Sequence, residues 1–334
     1  MKLVYNVNEK PPIKKNLVYA FQQLLAIIAA TLLVPTLVNL YNDAGMPNVL
    51  NQPAALFGAG AGTLFYLLVT KFRSPAFLGS SFAFITPLCG AAVFGRLGIF
   101  LGAVFSGLVY ALIALVIKKT GSGWVNKLMP AAIIGPIVTL IGLSLSGTAT
   151  SWLSGNGGDG YSLVTIAVGL FTFLAIVLCS VKGSKSLKLI PFVVGIGAGY
   201  LLALVLTLIG RAASIDTLQI LDFGPITSLF TNFSITSLVD CPKFFFLRAF
   251  ETGSEYPLDW AAVGNIALIY VPIGVVELAQ HIADHKNLGA IIGRDLIADP
   301  GLDRTLLGDG VGSMVGAFFG GCPNTTYGES VGCI

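Results

Sequence analysis

The 334 residues are 55% hydrophobic and only 10% charged, with a net charge of +3 and 40 glycines. A soluble domain carries about 25% charged residues, most of them on its surface, so these proportions exclude a water-facing globule and leave a surface that faces lipid. The small net charge gives no basis for nucleic-acid binding.

Apolar runs of about 18 to 25 residues, enough to cross a hydrocarbon core as helices, recur from the N-terminus onward. In chain order the pattern predicts spans near Leu17–Leu40, Pro53–Thr70, Ala76–Phe94, Leu97–Ile117, Met129–Ser146, Tyr161–Val181, Leu189–Ile209, Trp260–Asp284 and Thr305–Gly320, and a tenth starting near Thr325. Runs of this length with abundant glycine predict an all-α polytopic bundle, not the short alternating strands of a barrel. Residues 1–16 precede the first span and residues 211–259 form one long, acidic connection. No cleavable leader is expected ahead of the first span. Five cysteines without a CxxC pair predict neither a disulfide framework nor a metal site.

Basic residues test the topology. With the N-terminus inside, fifteen Lys and Arg fall on the cytoplasmic side and four (Arg96, Arg211, Lys243 and Arg248) on the other. That asymmetry follows the positive-inside rule and predicts a cytoplasmic N-terminus in the cell membrane.

Two spans depart from a simple membrane helix. The run Gly79-Ser80-Ser81-Phe82-Ala83-Phe84-Ile85-Thr86-Pro87 and the run Pro323-Asn324-Thr325-Thr326-Tyr327-Gly328-Glu329-Ser330 both put hydroxyls, proline and glycine at membrane depth. Lipid cannot satisfy freed backbone groups, so both segments must point inward. Each follows a small-residue helix: Gly58, Gly60 and Gly62 lead to Pro75, and Gly308, Gly310 and Gly312 lead to Pro323, at spacings of 17 and 15. A motif that occurs twice in opposite membrane directions predicts inverted seven-span repeats, the first over residues 17–210 and the second starting at 260–334.

Acids are sparse, with none between Asp43 and Asp159 or between Asp159 and Asp216. The eighth span nevertheless carries Glu277, Gln280, His281 and Asp284, which at about 100° per residue share one helix face. An intramembrane charge costs ~2.5 to 3.5 kcal/mol, so such a stripe faces a cavity or partners. Glu329, in the broken tenth segment, is the second focus. His281-Ile-Ala-Asp284-His285 also raises an intramembrane metallopeptidase. Zinc would need a third ligand and the chain has only these two histidines. No P-loop or nucleophile motif is present, and no cofactor is expected.

Gly79 to Phe84, Gln280-His281-Ile282-Ala283-Asp284-His285, Arg294-Asp295-Leu296 through Asp299-Pro300-Gly301-Leu302, and Asn324-Thr325-Thr326-Tyr327-Gly328-Glu329 together resemble the nucleobase:cation symporter-2 family, also called the nucleobase–ascorbate transporters. The resemblance implies fourteen spans with short paired strands in spans 3 and 10, spans 1–4 in a core domain and 5–7 in a gate, and proton-driven uptake of a nucleobase. It places the base against Phe82, Gln280, Tyr327, Gly328 and Glu329, with uracil as the first substrate and xanthine or urate second. An anion transporter of the same fold is the alternative, which an unpaired Glu329 disfavours. The coupling ion is a proton or Na+, and a homodimer in the bilayer is expected.

Two departures stand out. The acid that the family carries on span 8 is Gln280 here, and an amide cannot titrate. Glu277 one turn away, Asp284 and His281 are therefore the expected proton-coupling groups. The resemblance also implies four further spans beyond Ile334, so the chain is expected to stop after the third span of its second half.

Overall fold

The structure, a computed structural model, describes residues 5, 7, 9–41, 49–154, 162–184, 187, 190–231, 242–248 and 257–328. The chain divides into two compact units, residues 1–141 with 242–334, and residues 142–241.

The first unit begins with α1 (Ile13–Tyr41) and α2 (Gln52–Val69). Asn51 starts α2 by accepting from Ala54 N at 3.0 Å, and Pro53 fits the first turn, where no N–H is needed. After α2 the backbone becomes extended in β1 (Leu78–Ser80), turns through a 3₁₀ segment (Phe82–Phe84) and enters the short α3 (Ile85–Ala92). The long α4 (Gly95–Thr120) ends at Gly121, whose φ of +80° suits glycine, and α5 (Gly123–Leu128) and α6 (Ala131–Ser144) follow.

The chain re-enters this unit through α11 (Phe245–Arg248), α12 (Trp260–Ile292), α13 (Leu302–Phe318) and β2 (Asn324–Thr326). Asp259 caps α12 by accepting from Ala262 N at 2.8 Å, and Gly293, at φ +68°, closes it.

In the second unit, α7 (Ser146–Leu153), α8 (Leu163–Lys182) and α9 (Pro191–Ala213) precede α10 (Gly224–Thr231). α8 and α9 pack as a hairpin, with Gly195 against Ile176 and Gly199 against Thr172. Leu170, Phe173, Leu174, Leu201, Val205 and Leu208 on their outer faces are exposed, a surface suited to lipid and not to water.

Seven helices among the described residues are long and apolar enough to cross a membrane: those at Ile13–Leu40, Gln52–Val69, Gly95–Thr120, Ala132–Ser151, Leu163–Lys182, Pro191–Ala213 and Trp260–Ile292. The third expected span, Ala76–Phe94, is not one continuous helix but β1, a 3₁₀ turn and α3. Its Ser81 side chain accepts from Ala83 N at 3.3 Å, a local bond that starts the turn. The eighth runs beyond Asp284 to Ile292. The tenth opens as β2, and residues after 328 lie outside the described residues.

β1 and β2 pair antiparallel in the register Leu78↔Thr326, Gly79↔Thr325 and Ser80↔Asn324. The ladder continues outward, Ser81 N donating to Pro323 O at 3.2 Å and Tyr327 N to Phe77 O at 3.1 Å. The helices that lead into the strands also meet antiparallel. A Cβ at Gly58 would lie 2.6 Å from Gly316 O, and one at Gly62 would lie 2.5 Å from Gly312 O. α13 meets α4 equally closely, Gly107 sitting 2.7 Å from Gly310 O by the same measure. The repeated helix–strand motif thus folds into one antiparallel, face-to-face pair, in the opposed directions expected for inverted repeats.

The apolar core around this pair has two parts. Tyr110, Ile117, Leu278, Ile282, Leu302 and Leu306 join α4, α12 and α13, whereas Tyr66, Leu78, Leu288, Ile292 and Leu296 join α2, β1 and the end of α12. At that end Asp299 binds Arg73 Nη1 at 2.6 Å and Arg294 Nη2 at 3.0 Å, tying the α2–β1 connection to the α12–α13 connection. The Arg73 hydrogen bond, seconded by Arg294, holds the Asp299 carboxyl below the usual carboxylate range.

Two outcomes test this packing. Gly62→Ala lowers detergent-phase thermal stability by about 1 to 3 kcal/mol through overpacking, whereas Gly60→Ala on the same helix, with nothing within 4 Å, leaves it unchanged or slightly raised. Equal melting of the two variants would contradict the close crossing. For Asp299 the folded-state value is depressed, so its contribution is complete above the unfolded-state value of about 3.9 and disappears as pH falls through the lower folded-state value. Asp299→Asn therefore melts earlier than the parent protein at neutral pH and low salt, and the gap closes in acid and in high salt.

Candidate functional site

The polar face of α12 lies along both strands. Glu277 is buried, and its Oε1 accepts from Ser81 Oγ at 2.8 Å, just past the end of β1. One turn on, Gln280 Nε2 donates to Thr326 O at 3.3 Å on β2. A further turn on, Asp284 Oδ2 accepts from Thr326 Oγ1 at 2.9 Å. A Cβ placed on Gly328 would lie 3.1 Å from Asp284 Oδ1. The expected one-face stripe is therefore real, and it reads the two strands in order: a carboxylate on the first, an amide and a carboxylate on the second.

His281 turns to the other side of the same helix face. Its Nδ1 lies 2.6 Å from Asp309 Oδ2 on α13 and its Nε2 lies 3.1 Å from Thr305 Oγ1, with all three residues buried. Thr305 Oγ1 donates its own proton to Leu302 O at 3.2 Å, so Nε2 must carry hydrogen. The Nδ1–Oδ2 contact then holds a proton as well. Imidazolium with carboxylate, or imidazole with carboxylic acid, gives the same neutral pair, which is how a buried acid survives at membrane depth.

Asp309 Oδ2 also receives Thr325 Oγ1 at the long distance of 3.5 Å, while Asp309 Oδ1 and Glu277 Oε2 have no hydrogen-bond partner among the described residues. The imidazole of His285 stacks on that of His281 at 4.0 Å between centroids. Its Nδ1 donates to His281 O at 2.8 Å, and its Nε2 lies 2.6 Å from Tyr66 Oη, which also bonds Ser74 Oγ at 2.7 Å. Both imidazoles are thus engaged in hydrogen bonds to different partners, and no group of three His, Cys, Asp or Glu fit for a metal occurs among the described residues.

The other expected residues fall as follows. Phe82 opens the 3₁₀ turn and is half-buried, and its N–H has no partner among the described residues. The Tyr327 hydroxyl donates to Ser80 O at 2.6 Å, and its ring fills the space that a Cβ on Gly79 would take. Gly328 is exposed, and Glu329 lies outside the described residues. A small open hollow lies elsewhere in this unit, between Leu50, Arg96, Lys243, Phe245 and Gly321, and contains none of the stripe.

Two participants lie outside the sequence-based expectations, Asp309 and Tyr66, while Ser81 and Thr325 stand in the inward-pointing runs without a role of their own. Asp309 was visible as an acid inside an apolar helix, a signal for function by itself. It was absorbed into the Gly308–Gly312 packing motif. His285, expected at a helix end beside Lys286, is instead fully enclosed.

Comparison with known proteins adds the lineage. The model described as "Permease family" matches residues 14–334. The uracil permease of Bacillus caldolyticus is 38% identical over 100% of this chain and 69% of its own length. The uracil permease of Bacillus subtilis is 34% identical over 95% of this chain and 66% of its own, and that of Escherichia coli K12 is 31% identical over 98% and 67%. The chain thus spans about two thirds of the length of these relatives. A match over nearly the whole chain, joined to paired strands between glycine-packed helices, makes this a multi-pass membrane protein of the nucleobase:cation symporter-2 permease family.

Proposed function

We propose that the chain is a secondary transporter that carries a nucleobase, uracil first, across the membrane together with a proton. The observation that carries this reading is the α12 face laid along the strand pair. It combines an unpartnered backbone N–H at Phe82, an amide at Gln280 and a buried acid at Glu277 within one polar strip. The names of the relatives, all uracil permeases, support the substrate.

The chemistry fits a pyrimidine edge. Uracil presents alternating C=O and N–H groups. Gln280 already donates from Nε2 to Thr326 O, so its Oε1 is left to accept from a ring N–H. The Phe82 N–H meets a carbonyl oxygen, and Gly328, lacking a side chain, lets the base approach the backbone beside Glu329. Tyr327 acts from behind, holding β1 to β2 through Ser80. Because Gln280 cannot exchange a proton, coupling falls to Glu277, with Asp284 and His281 beside it. The excess of basic residues on alternate loops supports a cytoplasmic N-terminus.

A binding screen of purified protein against uracil, xanthine, urate and ascorbate at mildly acid and mildly alkaline pH tests the reading. Uracil is expected to bind tightest, and more weakly at alkaline pH. Silence toward every nucleobase would end it. Glu277→Gln is expected to retain binding yet lose accumulation driven by a proton gradient in liposomes, whereas an unaltered pH dependence in that variant would remove Glu277 from the coupling role.

A further inference from the structure

The hydroxyl of Thr325 sits where the two buried acids meet. It faces Asp309 Oδ2 at 3.5 Å, and it also faces Glu277 and the Tyr110 hydroxyl. Glu277 Oε2, Asp309 Oδ1 and Tyr110 Oη have no partner among the described residues although fully enclosed. A buried polar atom without a partner costs about 1 to 3 kcal/mol, so a hydroxyl beside three of them has alternative bonds to make. The titratable groups facing it are Glu277, His281 and Asp284 from α12, Asp309 from α13 and Tyr110 from α4, with Tyr66 and His285 behind them. No buried Lys or Arg occurs among the described residues.

We propose that Thr325 is the positioning residue through which the protonation of Glu277 reaches the strand pair. The inference rests on the coupling role given to Glu277 above. A hydroxyl has one proton to donate and two lone pairs to accept with. When Glu277 is protonated, its Oε2–H donates to Thr325 Oγ1, and Thr325 donates onward to Asp309 Oδ2. When Glu277 gives its proton to water, the carboxylate becomes the stronger acceptor, because a hydrogen bond to an ionised group is roughly twice as strong as a neutral one. Asp309 Oδ2 is already served by His281 at 2.6 Å, so it releases the hydroxyl at little cost.

The consequence is mechanical. With Glu277 protonated, Thr325 bridges the two helices, bonded to Glu277 on α12 and to Asp309 on α13. With Glu277 ionised, Thr325 is bonded to α12 alone, the helix whose Gln280 and Asp284 already bind Thr326. Loss of one proton therefore releases β2 from α13 while keeping it on α12, and Thr325 stands opposite Gly79 in the ladder, where that release is passed to β1.

The test compares Thr325→Val, which keeps the shape and removes the hydroxyl, with Thr325→Ser, which keeps the hydroxyl. Thr325→Ala replaces the valine variant if the latter fails to fold. The parent and the serine variant are expected to lose uracil affinity by about tenfold between mildly acid and mildly alkaline pH. The valine variant is expected to match the parent in acid and to lose that dependence. A pH dependence retained in Thr325→Val, or lost alike in Thr325→Ser, overturns the proposal. A parent that binds no uracil at any pH would refute the transport reading instead. The infrared carbonyl band of protonated Glu277, assigned by its loss in Glu277→Gln, then decides: a shifted band in Thr325→Val supports the role of Thr325, and an identical band overturns it.

Discussion

Hydrocarbon offers no hydrogen bonds, and that constraint organises the first unit. An extended stretch such as Leu78–Ser80 exposes N–H and C=O groups that a helix would satisfy internally, and each left unpaired in lipid costs several kcal/mol. The only remedy at that depth is a second extended stretch, which comes from Asn324–Thr326, far along the sequence. Neither segment is viable alone. The two halves of the motif are therefore obliged to fold together, and the ladder from Phe77 to Ser81 against Pro323 to Tyr327 is what joins them.

Strand pairing then sets the demands on the helices. Paired strands lie about 4.8 Å apart, so the helices that feed them are drawn closer than side chains normally permit. Gly58, Gly62, Gly312 and Gly316 supply the missing volume: the carbonyl oxygens of Gly316 and Gly312 fill the Cβ positions of Gly58 and Gly62, and the side chains of Leu78 and Asn324 crowd those of Gly312 and Gly316. Asn324 exploits the gap: its Nδ2 donates to Gly58 O at 3.1 Å and to Gly312 O at 3.4 Å, one side chain bonding both helices. Tyr327 repeats the device at Gly79. Glycine here is a packing requirement of the ladder, not a source of flexibility.

Much of this was legible in the sequence, because the relevant signals are local. Length and hydropathy mark α1, α2, α4, α8, α9 and α12. Serine, threonine and proline at membrane depth mark both broken segments, and the i, i+3, i+4, i+7 spacing marks the stripe of Glu277, Gln280, His281 and Asp284. What was hidden depends on contacts between distant residues. Asp309 reads as part of a glycine motif until α13 turns it toward His281, 28 residues earlier. The third span reads as broken from its serines, threonine and proline, but its strand follows only from the resemblance, because β1 is three residues long and too short for a period-2 pattern. Tyr327 reads as a binding residue by resemblance, whereas its hydroxyl bond to Ser80 O spans 247 residues. The α12 terminus reads as Asp284 because Asp284 and His285 look like the start of an aqueous end, yet both are held by partners and the helix continues until Gly293.

The exchange of an acid for Gln280 gains a physical sense from this geometry. On the proposed function, one residue of the family pattern both recognises the base and carries charge. Here the tasks separate along a single helix face. Gln280 contacts the β2 backbone and offers an amide edge, which is neutral and needs no compensation. Glu277, three residues or about 4.5 Å away along the axis, contacts Ser81 beside β1 and is enclosed, with no buried Lys or Arg among the described residues. A carboxylate in that position is costly when ionised, and the cost is what makes its protonation responsive to whether water reaches the site. The adjoining His281–Asp309 pair is neutral in either tautomeric arrangement and adds no net charge, which leaves the carboxyl groups of Glu277 and Asp284 as the acids of this face. On the proposed function, an acid one turn away at 277 keeps the coupling chemistry that an amide at 280 gives up.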